Sequence, residues 1–142
     1  MTIAAILGSK GRDVASVGPT QTVAEAIALL AARRIGAVLV VEDGGVAGVF
    51  SERDVIHCLR DGDSRALQRP VGEVMTAPAV TVDLNDPVLA ALSVMTRRRI
   101  RHLPVVDSGR LIGIVSIGDL VKYRIERIEA DAAAMRDYIL QA

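Results

Sequence analysis

The sequence is short of aromatic residues: it has no tryptophan, two tyrosines (Tyr123 and Tyr138) and one phenylalanine (Phe50) in 142 residues. That scarcity excludes a base-stacking platform for single-stranded nucleic acid, which depends on aromatic faces. There is one cysteine, Cys58, so neither an internal disulfide nor a cysteine-rich metal site can form. Net charge is absent as well, because 17 basic residues balance 17 acidic ones. A broad basic field for nucleic acid or an anionic membrane is therefore missing. No apolar run reaches the roughly 18 residues that would suggest a membrane-spanning helix. The opening MTIAAILGSKGRD is too short and too weakly apolar for a signal peptide, so a cytoplasmic protein is the expectation. His57 and His102 lack metal-ligand spacing, and neither a P-loop nor a Rossmann fingerprint occurs, so no metal site is expected.

What is present is an apolar chain, 51% hydrophobic, of a length suited to one compact domain. It contains an internal repeat. Shifted by 65 places, residues 17–56 align with 82–121 without a gap, and 12 of these 40 positions are identical. Random pairing at ordinary residue usage gives about three. The identities are Val17/Val82, Val23/Val88, Ala26/Ala91, Arg33/Arg98, Arg34/Arg99, Ile35/Ile100, Val40/Val105, Val41/Val106, Gly44/Gly109, Gly48/Gly113, Ser51/Ser116 and Asp54/Asp119. Two copies are too few for a solenoid, which favours packing face to face about a pseudo-twofold axis.

Each copy reads as helix, strand, strand, helix. Thr22 with Glu25 fits a capping box, and Val23, Ala26, Ile27, Leu30 and Ala31 form an apolar helical face. In the second copy Asp86 is expected to cap, with Pro87 as the first helical residue. Strands are expected near 37–42 and 46–50, and again near 102–107 and 111–115, each pair joined by a glycine turn. Second helices open at Ser51 and Ser116. Residues from about 60 to 79 link the copies. Beyond the repeat, Val121, Ile125, Ile128, Ala132, Met135 and Ile139 recur at spacings 4, 3, 4, 3, 4, an apolar helical seam. Two roles fit that seam equally: packing on its own domain, or contact with a second copy.

The segments IGAVLVVEDGGVAGVFSERDV (35–55) and IRHLPVVDSGRLIGIVSIGDL (100–120) resemble a tandem pair of cystathionine-β-synthase (CBS) domains, a Bateman module. The second copy carries the full LPVVD and G-apolar-apolar-Ser-x-x-Asp pattern; the first has Leu39 where the family commonly has proline. The resemblance implies an α/β fold, with a pair spanning 1–124 (copies at about 8–62 and 72–124) and an amphipathic C-terminal helix at 125–142. It further implies two related clefts for adenosine-containing ligands such as AMP, ADP, ATP, NAD(H) or S-adenosylmethionine, and a homodimer. Short pairs with a KGRDV-like lead-in resemble bacterial regulatory proteins whose regulated partner is unknown.

The chemistry of such clefts can be assigned to residues. A carboxylate offers two acceptors at the separation of vicinal ribose hydroxyls, a task suited to Asp54 and Asp119. Ser51 and Ser116 sit three residues earlier at helix starts, where a hydroxyl and free N–H groups favour phosphate. Ser-x-x-Asp is equally a plain helix cap. Arg101 and His102 are expected to contact phosphate and to favour the Ser116–Asp119 cleft, which would also use Lys10, Asp13, Val14, Ile35, Gly36 and Ala37. Arg53 would supply charge to the Ser51–Asp54 cleft, helped by Ile100, Pro78 and Val80. Cys58 reads as a small buried helix residue, and the adjacent His57 points about 100° away from it on a helix, so the two make no nucleophile–base pair.

The expected function is a non-catalytic sensor of adenine nucleotides acting by population shift. The alternative is a homo-oligomeric scaffold with vestigial clefts. An enzyme is disfavoured, since no activated nucleophile, metal cluster or acid pair is evident, and RRRIRH (97–102) is too small a basic run for nucleic-acid binding.

Overall fold

The structure is a computed structural model that describes every residue except Asp63. Two three-stranded sheets form its centre. In the first, β1 (Ser16–Val17) pairs parallel with β2 (Ala37–Glu42), which pairs antiparallel with β3 (Gly45–Ser51). In the second, β4 (Val82–Asp83), β5 (His102–Asp107) and β6 (Arg110–Ser116) repeat the arrangement. The register breaks between Val40 and Val41 and between Val105 and Val106, so even the bulge is duplicated. Asp43–Gly44 and Ser108–Gly109 close the two hairpins with positive φ at both residues, as two-residue turns of right-twisted ribbons require. β3 and β6 lie against one another, joining the sheets.

Helices α2 (Val23–Arg33) and α5 (Val88–Arg98) precede the hairpins, and α3 (Glu52–Asp61) and α6 (Ile117–Gln141) follow them. Thr22 accepts from Glu25 N at the start of α2, but the expected capping box is only half made, because the Glu25 carboxylate accepts from Gln21 Nε2 instead of Thr22 N. Asp86 does not cap α5: its carboxylate accepts from Asp83 N in the preceding turn, and Pro87 takes the N-cap position without a side-chain cap. Both helices end on an arginine in the left-handed region, Arg34 at φ 53° and Arg99 at φ 55°.

The cores are assembled crosswise. Helix α1 (Ile3–Lys10) buries Ile3, Ile6 and Leu7 among Val88, Met95, Leu103, Val115 and Leu120 of the second copy. A 3-10 turn (Ser64–Gln68) and α4 (Val71–Val74) bury Ala66 and Val71 among Val23, Val38, Val40 and Phe50 of the first. The segment linking the copies is therefore structured, and α1 and α4 play matching parts. Ile3 N donates to Asp86 O as Val71 N donates to Gln21 O, and Leu7 lies over Gly113 as Met75 lies over Gly48. A Cβ at Gly48 would stand 2.6 Å from Met75 Sδ and 2.7 Å from Thr76 O, and one at Gly113 would stand 2.9 Å from Leu7 Cδ2. The repeated glycine thus admits the crossing segment.

The C-terminal helix is not separate. It is the continuation of α6, a single helix of 25 residues from Ile117 to Gln141. From Ile125 onward every residue is exposed, so the seam does not fold back on its own domain.

Candidate functional site

Each β-hairpin delivers its strand directly into a helix, and a reciprocal capping box fixes the junction. Ser51 Oγ accepts from Asp54 N, while Asp54 Oδ2 accepts from Ser51 N at 2.9 Å. Ser116 Oγ accepts from Asp119 N at 3.1 Å, and Asp119 Oδ2 accepts from Ser116 N at 2.8 Å. The capping role is therefore real at both motifs. It also holds both carboxylates at helix N-termini, each on the wall of a cleft.

The cleft at Asp119 has a volume of about 490 Å³. Lys10, at the end of α1, donates from Nζ to Asp119 Oδ2 at 2.5 Å and to Ile114 O at 2.9 Å. Burial opposes ionisation of Asp119, but the Lys10 ammonium and the Ser116 N–H outweigh it and hold the carboxyl below the ordinary carboxylate range. Ile35, Gly36 and Ala37 form the opposite edge, with Arg34 beside them. Arg33 donates to Asp13 Oδ2 at 3.0 Å. Two of the three cations at this cleft are thus paired with carboxylates of the cleft itself.

The cleft at Asp54 is larger, about 670 Å³, and differently charged. Thr76 Oγ1 donates to Asp54 Oδ1 at 2.9 Å, where the other cleft has an ammonium. Arg53, Arg99 and Arg101 line it, and none of the three forms an ion pair among the described residues. Arg53 Nη1 donates to the Arg99 carbonyl at 3.0 Å, leaving the rest of its guanidinium fork for a ligand.

His102 borders both clefts, with Gly36 and Ser116. Its ring fills the space where a side chain at Gly36 would sit: a Cβ there would be 3.1 Å from His102 Cε1 and 3.7 Å from Glu52 Oε1. Burial, then the Lys10 charge, pushes the imidazole below its ordinary value, although Asp119 and Glu52 pull the other way. His102 is therefore neutral at pH 7 and can donate one N–H.

The sequence pattern of the CBS domain matches residues 10–61 and again 71–126, most of the chain. The chain belongs to the CBS-domain family. It is 38% identical over 122 residues to the CBS domain-containing protein YhcV of Bacillus subtilis, covering 85% of this chain and 86% of that protein. The crystal structure of the CBS-domain containing protein ATU1752 from Agrobacterium tumefaciens superposes with a TM-score of 0.84 at 42% identity, over 87% of this chain and 99% of that one. The CBS domain protein PAE2072 from Pyrobaculum aerophilum, solved in complex with AMP, superposes with a TM-score of 0.74 at 30% identity, over 84% and 89% of the two chains.

Within this CBS pair, Lys10, Asp13, Ile35, Gly36, Ala37, Ser116 and Asp119 meet at one cleft, and Ser51, Arg53, Asp54 and Ile100 meet at the other. Arg101 lies at the Asp54 cleft, not with Asp119, because each cleft is closed by the segment entering the central strand of the opposite CBS copy. Val14, Pro78 and Val80 line neither cleft; Val80 packs on the second core and Pro78 is exposed. Sequence reasoning missed Arg34, Arg99, Glu52 and Thr76. The two arginines are identical across the repeat, a signal that was available. Thr76 lies outside the repeat and reaches Asp54 only through the crossing of α4 over β3, which no local pattern announces.

Proposed function

We propose that this CBS pair is a non-catalytic regulatory module that binds adenine nucleotides in its two clefts. Supporting it most is the AMP-bound structure of a CBS protein 30% identical to this chain, set beside the two capped carboxylates here. Asp54 and Asp119 would accept the ribose hydroxyls, and the positive ends of α3 and α6 together with the nearby cations would favour phosphate. Aliphatic walls such as Ile35, Ile100 and Ile117 would enclose adenine, consistent with the scarcity of aromatic residues.

The clefts are not equivalent. Three unpaired guanidiniums favour the Asp54 cleft for phosphate-rich ligands such as ADP or ATP. At the Asp119 cleft, a ribose must displace or share the Lys10 contact, which favours AMP or the adenosine half of NAD(H). Ligand in either cleft bridges the two copies, so it acts on partner or subunit contacts through differential affinity for their relative arrangements.

The test is equilibrium titration of AMP, ATP and NAD into the wild-type protein and the Asp54→Ala, Asp119→Ala and Arg101→Ala variants. Asp119→Ala should weaken AMP about tenfold or more, as expected for losing a charged hydrogen-bond acceptor. Arg101→Ala should weaken ATP more than AMP. Unchanged affinities in all three variants would contradict the assignment.

A further inference from the structure

The tail of α6 presents an uncovered apolar seam. Ile125, Ile128, Met135 and Ile139 are 49%, 51%, 60% and 64% exposed. A helical tail this short, touching nothing, is marginal in water. Its intrahelical support among the described residues includes one ion pair, Arg127 to Asp131 at 3.8 Å. The seam keeps a heptad spacing from Val121 to Ile139, with Ile125, Ala132 and Ile139 at one core position of the heptad and Val121, Ile128 and Met135 at the other. The charges flanking the seam select an orientation. In a parallel, in-register pair, Arg124 falls beside the partner's Glu129 and Asp131 beside the partner's Arg136, each twice by symmetry.

Antiparallel alignments do worse. The one that matches the same layers (Val121 on Ile139, Ile125 on Met135, Ile128 on Ala132) sets Asp131 on Asp131, Glu129 on Glu129 and Lys122 against Arg136. Shifting it one heptad either way recovers opposite charges but leaves either Met135 and Ile139, or Val121, without a layer. The parallel register keeps every seam residue in a layer and Arg124, Glu129, Asp131 and Arg136 each against an opposite charge.

We infer that residues 121–142 form a parallel, in-register coiled coil with the same helix of a second copy. The occupant of the seam is this chain itself, and the pairing is independent of whether the clefts bind nucleotide.

Three measurements on the full chain test it. Sedimentation equilibrium should show self-association weakened about tenfold or more by Ile128→Asp, given the apolar burial lost from both helices. Arg124→Glu should weaken it a few-fold, and adding Glu129→Arg should restore it, as only the parallel register places these positions together. Met135→Cys should give a disulfide-linked dimer under mild oxidation, since the parallel register sets the two sulfurs in one layer. An unchanged association constant in Ile128→Asp would overturn the proposal. So would cross-linking of an Ile125→Cys chain to a Met135→Cys chain without cross-linking of Met135→Cys to itself. Circular dichroism and Cys58 inaccessibility confirm that each variant is folded.

Discussion

At the scale of the residue, each cleft is lined by an arginine with an unusual backbone conformation. Arg34 and Arg99 end their helices in a left-handed conformation that glycine adopts freely, at a cost of about 1 kcal/mol for a residue with a side chain. Arg34 lines the Asp119 cleft and Arg99 the Asp54 cleft. Arg99→Gly is therefore expected to raise stability by about 0.5–1 kcal/mol in urea denaturation while weakening nucleotide binding at the Asp54 cleft. His102 gives a second test. Its pKa is lowered in the fold, chiefly by burial, with Lys10 adding to that and Asp119, Glu52 and Arg101 also facing it. The folded protein thus binds the His102 proton less readily than the unfolded chain does. That stabilisation is complete above the unperturbed value of about 6.5 and is lost as pH falls towards the lowered folded value. Asp119, also lowered, adds loss at more acidic pH, as its carboxylate is protonated. The midpoint of urea unfolding should fall as pH drops below about 6.5 in the wild type, and His102→Gln should remove the upper part of that fall.

At the scale of the element, the repeat explains which parts of the fold were legible. The strand–turn–strand–helix units repeat with the same element bounds, so β2, β3, β5, β6 and the starts of α3 and α6 were visible in apolar β-branched runs, glycine turns and Ser-x-x-Asp spacing. The short strands β1 and β4 and the 3-10 turn were missed, as were α1 and α4, and these two helices draw their burial from the opposite CBS copy. Ile3, Ile6 and Leu7 make an apolar group whose partners lie some 80 residues away or more, so no local period reveals them. The same crossing misled the placement of Arg101, Pro78 and Val80. Glycine at 48 and 113 carries a prediction here. Gly48→Ala should destabilise by about 1–3 kcal/mol, because the new methyl meets the Thr76 carbonyl as well as Met75. Gly113→Ala should cost less, since it meets the movable end of Leu7. Chemical denaturation of both variants checks the order.

At the scale of the whole molecule, two sheets held by crossed lead-in segments place two clefts on either side of one histidine. Any ligand spanning a cleft touches both CBS copies, so occupancy and relative arrangement are linked. A scaffold with vestigial clefts would share the fold and the α6 seam but not the response to ligand. Thermal unfolding with AMP, ADP, ATP, NAD, NADH and S-adenosylmethionine, each near millimolar, separates the two most directly. A ligand present at 100 times its dissociation constant adds about 2.7 kcal/mol, several degrees in Tm for a domain of this length. The account predicts such a shift with at least one of the six, reduced in Asp54→Ala or Asp119→Ala. No shift with any of them would contradict it.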